Sequence, residues 1–128
     1  CTDVTGFGVV GHVLEMARAS QVNVTLLLSS MPFLEGAIET ARAGLLSSLQ
    51  PQNVRLRRAV GNHEAIRLDE RYPLLFDPQT SGGLLASVPA DNANACLKEL
   101  RNLGYDAAVE VGFVQSNFDS ETPIAIEI

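Results

Sequence analysis

The chain has 128 residues, 46% of them hydrophobic, which suits one domain with a buried core and leaves no room for a second. Nine Lys and Arg stand against fifteen Asp and Glu, a net charge of −6, and this argues against a nucleic-acid partner, which selects basic patches. No apolar run approaches the ~18 residues of a membrane span, so no membrane partner is expected.

Along the chain, Val9, Val10, Val13, Leu14 and Ala17 form a helical stripe between Thr5 and Ala19, with Glu15 and Arg18 opposite. Asp3 and Thr5 are candidate N-caps for that helix. Val22 to Leu28 reads as a strand, ended by Ser29-Ser30. Pro32 then opens a helix with Leu34, Ile38 and Ala41 inward and Gly44 as its stop. Residues 45–71 give mixed signals: a turn at Gln50-Pro51-Gln52-Asn53, a short strand or helix over Val54 to Val60, and a helical stretch over Asn62 to Leu68. Leu74-Leu75-Phe76 reads as a buried strand, and the loop Asp77-Pro78-Gln79-Thr80-Ser81-Gly82-Gly83 joins it to a strand over Leu84 to Val88. Asp91 caps a helix with Ala93, Leu97, Leu100 and Leu103 spaced along one face and Gly104 at its end. Strands over Val109 to Val114 and Ile124 to Ile126 close the chain. This alternation predicts an α+β fold, with helices packed on a mixed or antiparallel sheet.

Two polar clusters flanked by glycine carry the functional signal. In Cys1-Thr2-Asp3-Val4-Thr5-Gly6-Phe7-Gly8, a carboxylate precedes a helix start. A helix N-terminus leaves about four N–H groups without intrahelical partners, and its dipole favours an anion. Glycines at 6 and 8 let that anion approach the backbone. A carboxylate beside bound phosphate is tolerable when Mg²⁺ bridges the two, so Asp3 is a candidate part-ligand and Thr5, Gly6 and Gly8 are candidate phosphate neighbours. The bland alternative, that Asp3 and Thr5 merely cap the helix, stays open from spacing alone. The Asp77–Gly83 loop presents the hydroxyls of Thr80 and Ser81, yet Asp-Pro and Gly-Gly are also ordinary turn formers.

The remaining polar residues weigh less. His12 fits a surface or core histidine, and His63 has no second ligand at metal spacing. Arg55-Leu56-Arg57-Arg58 reads as a solvated face. Cys96 adjoins an apolar stripe and reads as packing. Cys1 and Cys96 match no metal or redox spacing, and with no secretory signal a reducing cytoplasm is the expected compartment. Because Cys1 opens the chain inside a motif and without Met, residues 1–128 are expected to be a single-domain piece of a longer polypeptide whose missing part lies N-terminal.

Thr2-Asp3-Val4-Thr5-Gly6-Phe7-Gly8 with Gly11-His12, and Asp77-Pro78-Gln79-Thr80-Ser81-Gly82-Gly83-Leu84-Leu85, together resemble selenophosphate synthetase (selenide, water dikinase). The resemblance spans nearly the whole chain and is weakest between Leu45 and Arg71. It implies the C-terminal domain of the aminoimidazole ribonucleotide synthetase-like fold, with the N-terminal ATP-binding domain absent. It further implies an enzyme that makes selenophosphate, AMP and orthophosphate from ATP, selenide and water, requires Mg²⁺, and dimerises as the full-length protein. By this resemblance Asp3 is a metal ligand. The reactive Cys or selenocysteine, its lysine and the other metal aspartates belong to the N-terminal domain. Cys1 is therefore not the nucleophile, no catalytic residue is expected in this fragment, and the fragment alone is expected to be inactive. The competing expectation is a non-catalytic structural or interaction module of a fused or degenerate paralogue.

Overall fold

A computed structural model describes residues 1–128. The elements run β1 (Thr2–Asp3), α1 (Gly8–Ser20), β2 (Asn23–Leu27), α2 (Ala37–Arg42), α3 (Gln50–Asn53), a 3-10 helix (Val54–Ala59), α4 (His63–Ile66), a second 3-10 helix (Tyr72–Phe76), β3 (Leu84–Leu85), α5 (Ala90–Asn102), β4 (Gly112–Gln115) and β5 (Ile124–Glu127). The predicted α+β class is observed, with helices on a mixed sheet.

Apolar β-branched and aliphatic residues make β2 the central strand. β4 pairs antiparallel on one side, with Asn23 opposite Gln115 and Leu26 opposite Gly112. β5 pairs parallel on the other, with Val24 opposite Ile124 and Leu26 opposite Ile126. Val10, Val13 and Leu14 of α1 cluster with Leu26, Leu28, Ile124 and Ile126, and Leu75 and Phe76 of the second 3-10 helix complete the core. Full burial of one such side chain is worth about 1.5–3 kcal/mol.

The middle segment, whose sequence gives mixed signals, closes the open edge of β5; α4 lies within the helical stretch expected over Asn62 to Leu68. Val60 bridges Ile124, and the Gly61 N–H donates to the Ile124 carbonyl at 2.9 Å. The Asn62 amide then imitates a strand residue: its Nδ2 donates to the Ile126 carbonyl at 2.7 Å, and its Oδ1 accepts from the Ile126 N–H at 3.0 Å. A sheet edge left open would expose unpaired backbone groups, and this segment satisfies them.

Several expectations are corrected. The buried run Leu74-Leu75-Phe76 is a 3-10 helix, not a strand. Burial is as expected, but a short apolar run has no period to separate the two conformations, and Pro73 suits the first turn of a helix. The helix expected from Pro32 starts only at Ala37, and Leu34 is 80% exposed. The strand expected over Leu84 to Val88 is two residues long. Neither Asp3 nor Thr5 caps α1: Phe7 occupies the N-cap position, with no side-chain cap bond. Asp91 lies inside α5, whose N-cap is Pro89, and none of its residues is buried.

Candidate functional site

The fold brings the two polar clusters together. β1 and β3 pair antiparallel, Asp3 opposite Leu84 and Thr2 opposite Leu85. The contact continues into both loops: the Val4 N–H donates to the Gly83 carbonyl at 2.9 Å, Gly82 N–H to the Val4 carbonyl at 3.0 Å, and Gln79 N–H to the Thr5 carbonyl at 3.1 Å. The Asp77–Gly83 loop is thus the backbone partner of the Asp3–Gly8 loop, a role that its sequence alone did not reveal.

Two glycines allow this closeness. A Cβ on Gly82 would collide with the Val4 carbonyl oxygen. Gly8 has φ +67°, and a Cβ there would stand 2.8 Å from the Phe76 carbonyl carbon. Hence α1 starts directly against the end of the second 3-10 helix, where only glycine fits.

Two polar side chains hold the turn between them. His12, in the second turn of α1 and 6% exposed, accepts the Thr5 N–H at Nε2 over 3.0 Å. The Thr5 hydroxyl lies 3.3 Å from the same nitrogen. From the other side, the buried Asn53 Nδ2 donates to the Gly6 carbonyl at 2.8 Å and to the Phe76 carbonyl at 3.1 Å. Asn53 lies in the segment that gave no functional signal in the sequence; its role depends on a contact across 47 residues.

What the loop leaves unused is as informative as what it pairs. The exposed Asp3 carboxylate has no hydrogen bond or ion pair within the chain. The Gly8 N–H is consumed by the Thr5 carbonyl at 3.0 Å, and the Thr5 N–H by His12. The N–H groups of Gly6 and Phe7 have no acceptor in the chain, as is also true of Val9 and Val10 in the first turn of α1, so among the candidate phosphate neighbours Gly6 retains a free backbone donor. The Thr80 and Ser81 hydroxyls are exposed and likewise uncommitted, while the Asp77 carboxylate accepts from Gln79 Nε2 at 3.3 Å. Three or more His, Cys, Asp or Glu side chains come together nowhere in the chain, so Asp3 stands as a single carboxylate. One carboxylate suits Mg²⁺, which takes one or two from protein and completes its shell with phosphate and water oxygens.

Residues 1–122, which include both clusters and everything between them, match the family described as AIR synthase related protein, C-terminal domain. The chain belongs to this family. Within the family of AIR synthase related proteins it is similar to proteins named selenide, water dikinase. That of Rhizobium meliloti (strain 1021) is 45% identical over 111 residues, covering 87% of this chain and 32% of the relative. That of Clostridioides difficile (strain 630) is 40% identical over 117 residues, covering 88% and 32%. That of Myxococcus xanthus (strain DK1622) is 39% identical over 120 residues, covering 90% and 32%. The chain therefore spans about a third of the length of these curated relatives. No helix is long and apolar enough to cross a membrane.

Proposed function

We propose that residues 1–128 are the C-terminal domain of a selenide, water dikinase, the enzyme that forms selenophosphate, AMP and orthophosphate from ATP, selenide and water. In this reading Asp3 supplies one oxygen ligand to a Mg²⁺ ion that also contacts the ATP phosphates, the remaining carboxylates coming from the preceding domain. The observation that carries the reading is the uncommitted Asp3 carboxylate at the mouth of a loop held in place by backbone bonds to the Asp77–Gly83 loop. A capping aspartate would be bonded to the backbone of α1, and Asp3 is not. Mg²⁺ would offset the repulsion between Asp3 and phosphate, and the Gly6 and Phe7 N–H groups, which have no acceptor in the chain, lie in the same turn. Phosphoryl transfer is mainly positioning and charge neutralisation. The chain supplies a rigid platform for that and none of the nucleophile, so the isolated fragment is inactive.

The preceding domain is also the proposed cover for α5, none of whose residues is fully buried within the chain, and the full-length protein acts as a cytoplasmic homodimer. The experiment follows ATP, selenide and Mg²⁺ by phosphorus NMR with the full-length parent, wild type beside Asp3→Asn. Selenophosphate and AMP from the wild type and neither from the variant is the expected result. Thermal stability should shift by no more than about 0.5 kcal/mol, as for a surface residue with no partner. A well-folded wild type that makes no selenophosphate overturns the enzyme reading in favour of a non-catalytic module.

A further inference from the structure

We infer that His12 is a positioning residue that fixes the Asp3–Gly8 turn through its neutral imidazole, and that the free donors of Gly6 and Phe7 are presented only while it does so. As a bearing on catalysis, this rests on the dikinase reading above; as a statement about the turn, it stands on the geometry alone.

Nε2 accepts a hydrogen bond from a backbone N–H, which only an unprotonated ring nitrogen can do. The ring proton is therefore on Nδ1. That atom is buried without a hydrogen-bond partner, and the nearest charged group is the Glu15 carboxylate at 3.7 Å. A carboxylate on that side favours the tautomer with hydrogen on Nδ1 and leaves the Nε2 lone pair for Thr5. Phe7 stacks obliquely on the ring, centroids 5.7 Å apart, so the residue with a free N–H also packs on the one that holds the turn.

The geometry has a consistent logic. A helix that begins with Gly8 needs the chain to turn sharply between Val4 and Phe7. Without His12 the Thr5 N–H would have no acceptor in the chain. His12 engages that donor, and Asn53 secures the Gly6 carbonyl, leaving the Gly6 and Phe7 N–H groups without an acceptor in the chain. A backbone that had to reorganise on binding would lose the advantage of a preformed site.

The test compares His12→Phe, which keeps a ring of similar size but has no acceptor, with His12→Gln, whose Oε1 reaches about where Nε2 stands. Both are made in the full-length parent and read by residue-resolved hydrogen exchange and by steady-state kinetics. For His12→Phe we expect exchange at Thr5 to rise at least about tenfold, and kcat/KM for ATP to fall about tenfold to a hundredfold, as for a misplaced site. His12→Gln should recover most of both. Unchanged Thr5 exchange in a folded His12→Phe overturns the inference, whatever the kinetics show. Should His12→Phe not fold, the wild type decides: the Thr5 amide must exchange at least about tenfold more slowly than Gly6 and Phe7, and equal rates overturn the inference. Protected Thr5 in a wild type without dikinase activity sustains the role of His12 in the turn and removes only the enzyme reading.

Discussion

α1 and α5 are both thirteen residues long, both amphipathic, and opposite in fate. α1 buries seven residues, Val10 and Ala17 completely, whereas α5 buries none. The contrast extends to their surroundings: no residue from Asp77 to Thr122 is buried, and Leu84, Leu103, Tyr105 and Val114 are all at least half exposed. One part of the chain is a packed platform and the other is an apolar surface in search of a cover. An apolar stripe thus identifies the face that a helix would bury, but not whether its own chain supplies the partner.

The largest expected effect tests that contrast directly. Leu14→Ala should cost about 2–5 kcal/mol, the range for a buried leucine left as a cavity. Leu97→Ala, at the corresponding apolar face of α5, should cost less, about 1–2 kcal/mol in the 128-residue chain, because Leu97 is only half-buried and part of its surface stays in solvent. Urea unfolding measures both. Repeating Leu97→Ala in the longer protein proposed above sharpens the comparison, since a preceding domain seated on α5 would raise the cost toward that of Leu14. Equal costs for the two leucines in the short chain would contradict the exposure of α5.

A smaller effect is expected where the two parts meet. Gly82→Ala forces a methyl group against the Val4 carbonyl oxygen, which also accepts the Gly82 N–H. Relief requires the β1–β3 pair to part, at about 1–3 kcal/mol by analogy with overpacked cores. Gly83→Ala is the control, because nothing stands within 4 Å of its added methyl. Thermal unfolding separates the two variants, and in the parent Gly82→Ala should also lower turnover, since β1 carries Asp3. Equal stability of the alanine variants would show that the two loops are less firmly paired than their hydrogen bonds imply.

How much of this was legible beforehand follows the same division. α1, β2 and the α+β class were readable because the apolar periods of those two elements run long enough to fix a conformation. Leu74-Leu75-Phe76 was readable as buried and not as a 3-10 turn, since three residues contain no period. The site was half legible: Asp3, Thr5, Gly6 and Gly8 announce themselves by residue type and sequence proximity. Asn53 and the Gly82–Val4 contact depend on chain segments far apart in sequence, and no local pattern encodes them. His12 was visible but its direction was not, because a stripe at helical spacing does not say that Nε2 reaches back over seven residues to Thr5. Phe7 was overlooked for the opposite reason: its contribution is a backbone N–H, which every residue but proline possesses.

The smallest expected effect is on acid stability, and it again separates the platform from the apolar part. On the platform, the guanidinium of Arg71 bonds the Asp69 carboxylate at 2.6 and 2.8 Å and holds its pKa below the ordinary value. At the end of the apolar part, the N–H groups of Thr122 and Glu121 lower Asp119 in the same direction. A carboxyl depressed in the folded state binds its proton more readily when unfolded. Its stabilisation is complete above the unfolded pKa, near 3.9 for aspartate, and drains away as the pH falls through the folded value. The melting temperature should therefore be insensitive to these groups at pH 6 and decline below about pH 4. Asp69→Asn should flatten that decline more than Asp119→Asn does, because Asp69 is half-buried among platform residues whereas Asp119 is exposed and solvent screens it. The reverse ranking would mean that the Asp119 turn, whose N–H also donates to Asn23 Oδ1 at 2.8 Å, anchors the returning chain to β2 more firmly than the Asp69–Arg71 pair holds the platform.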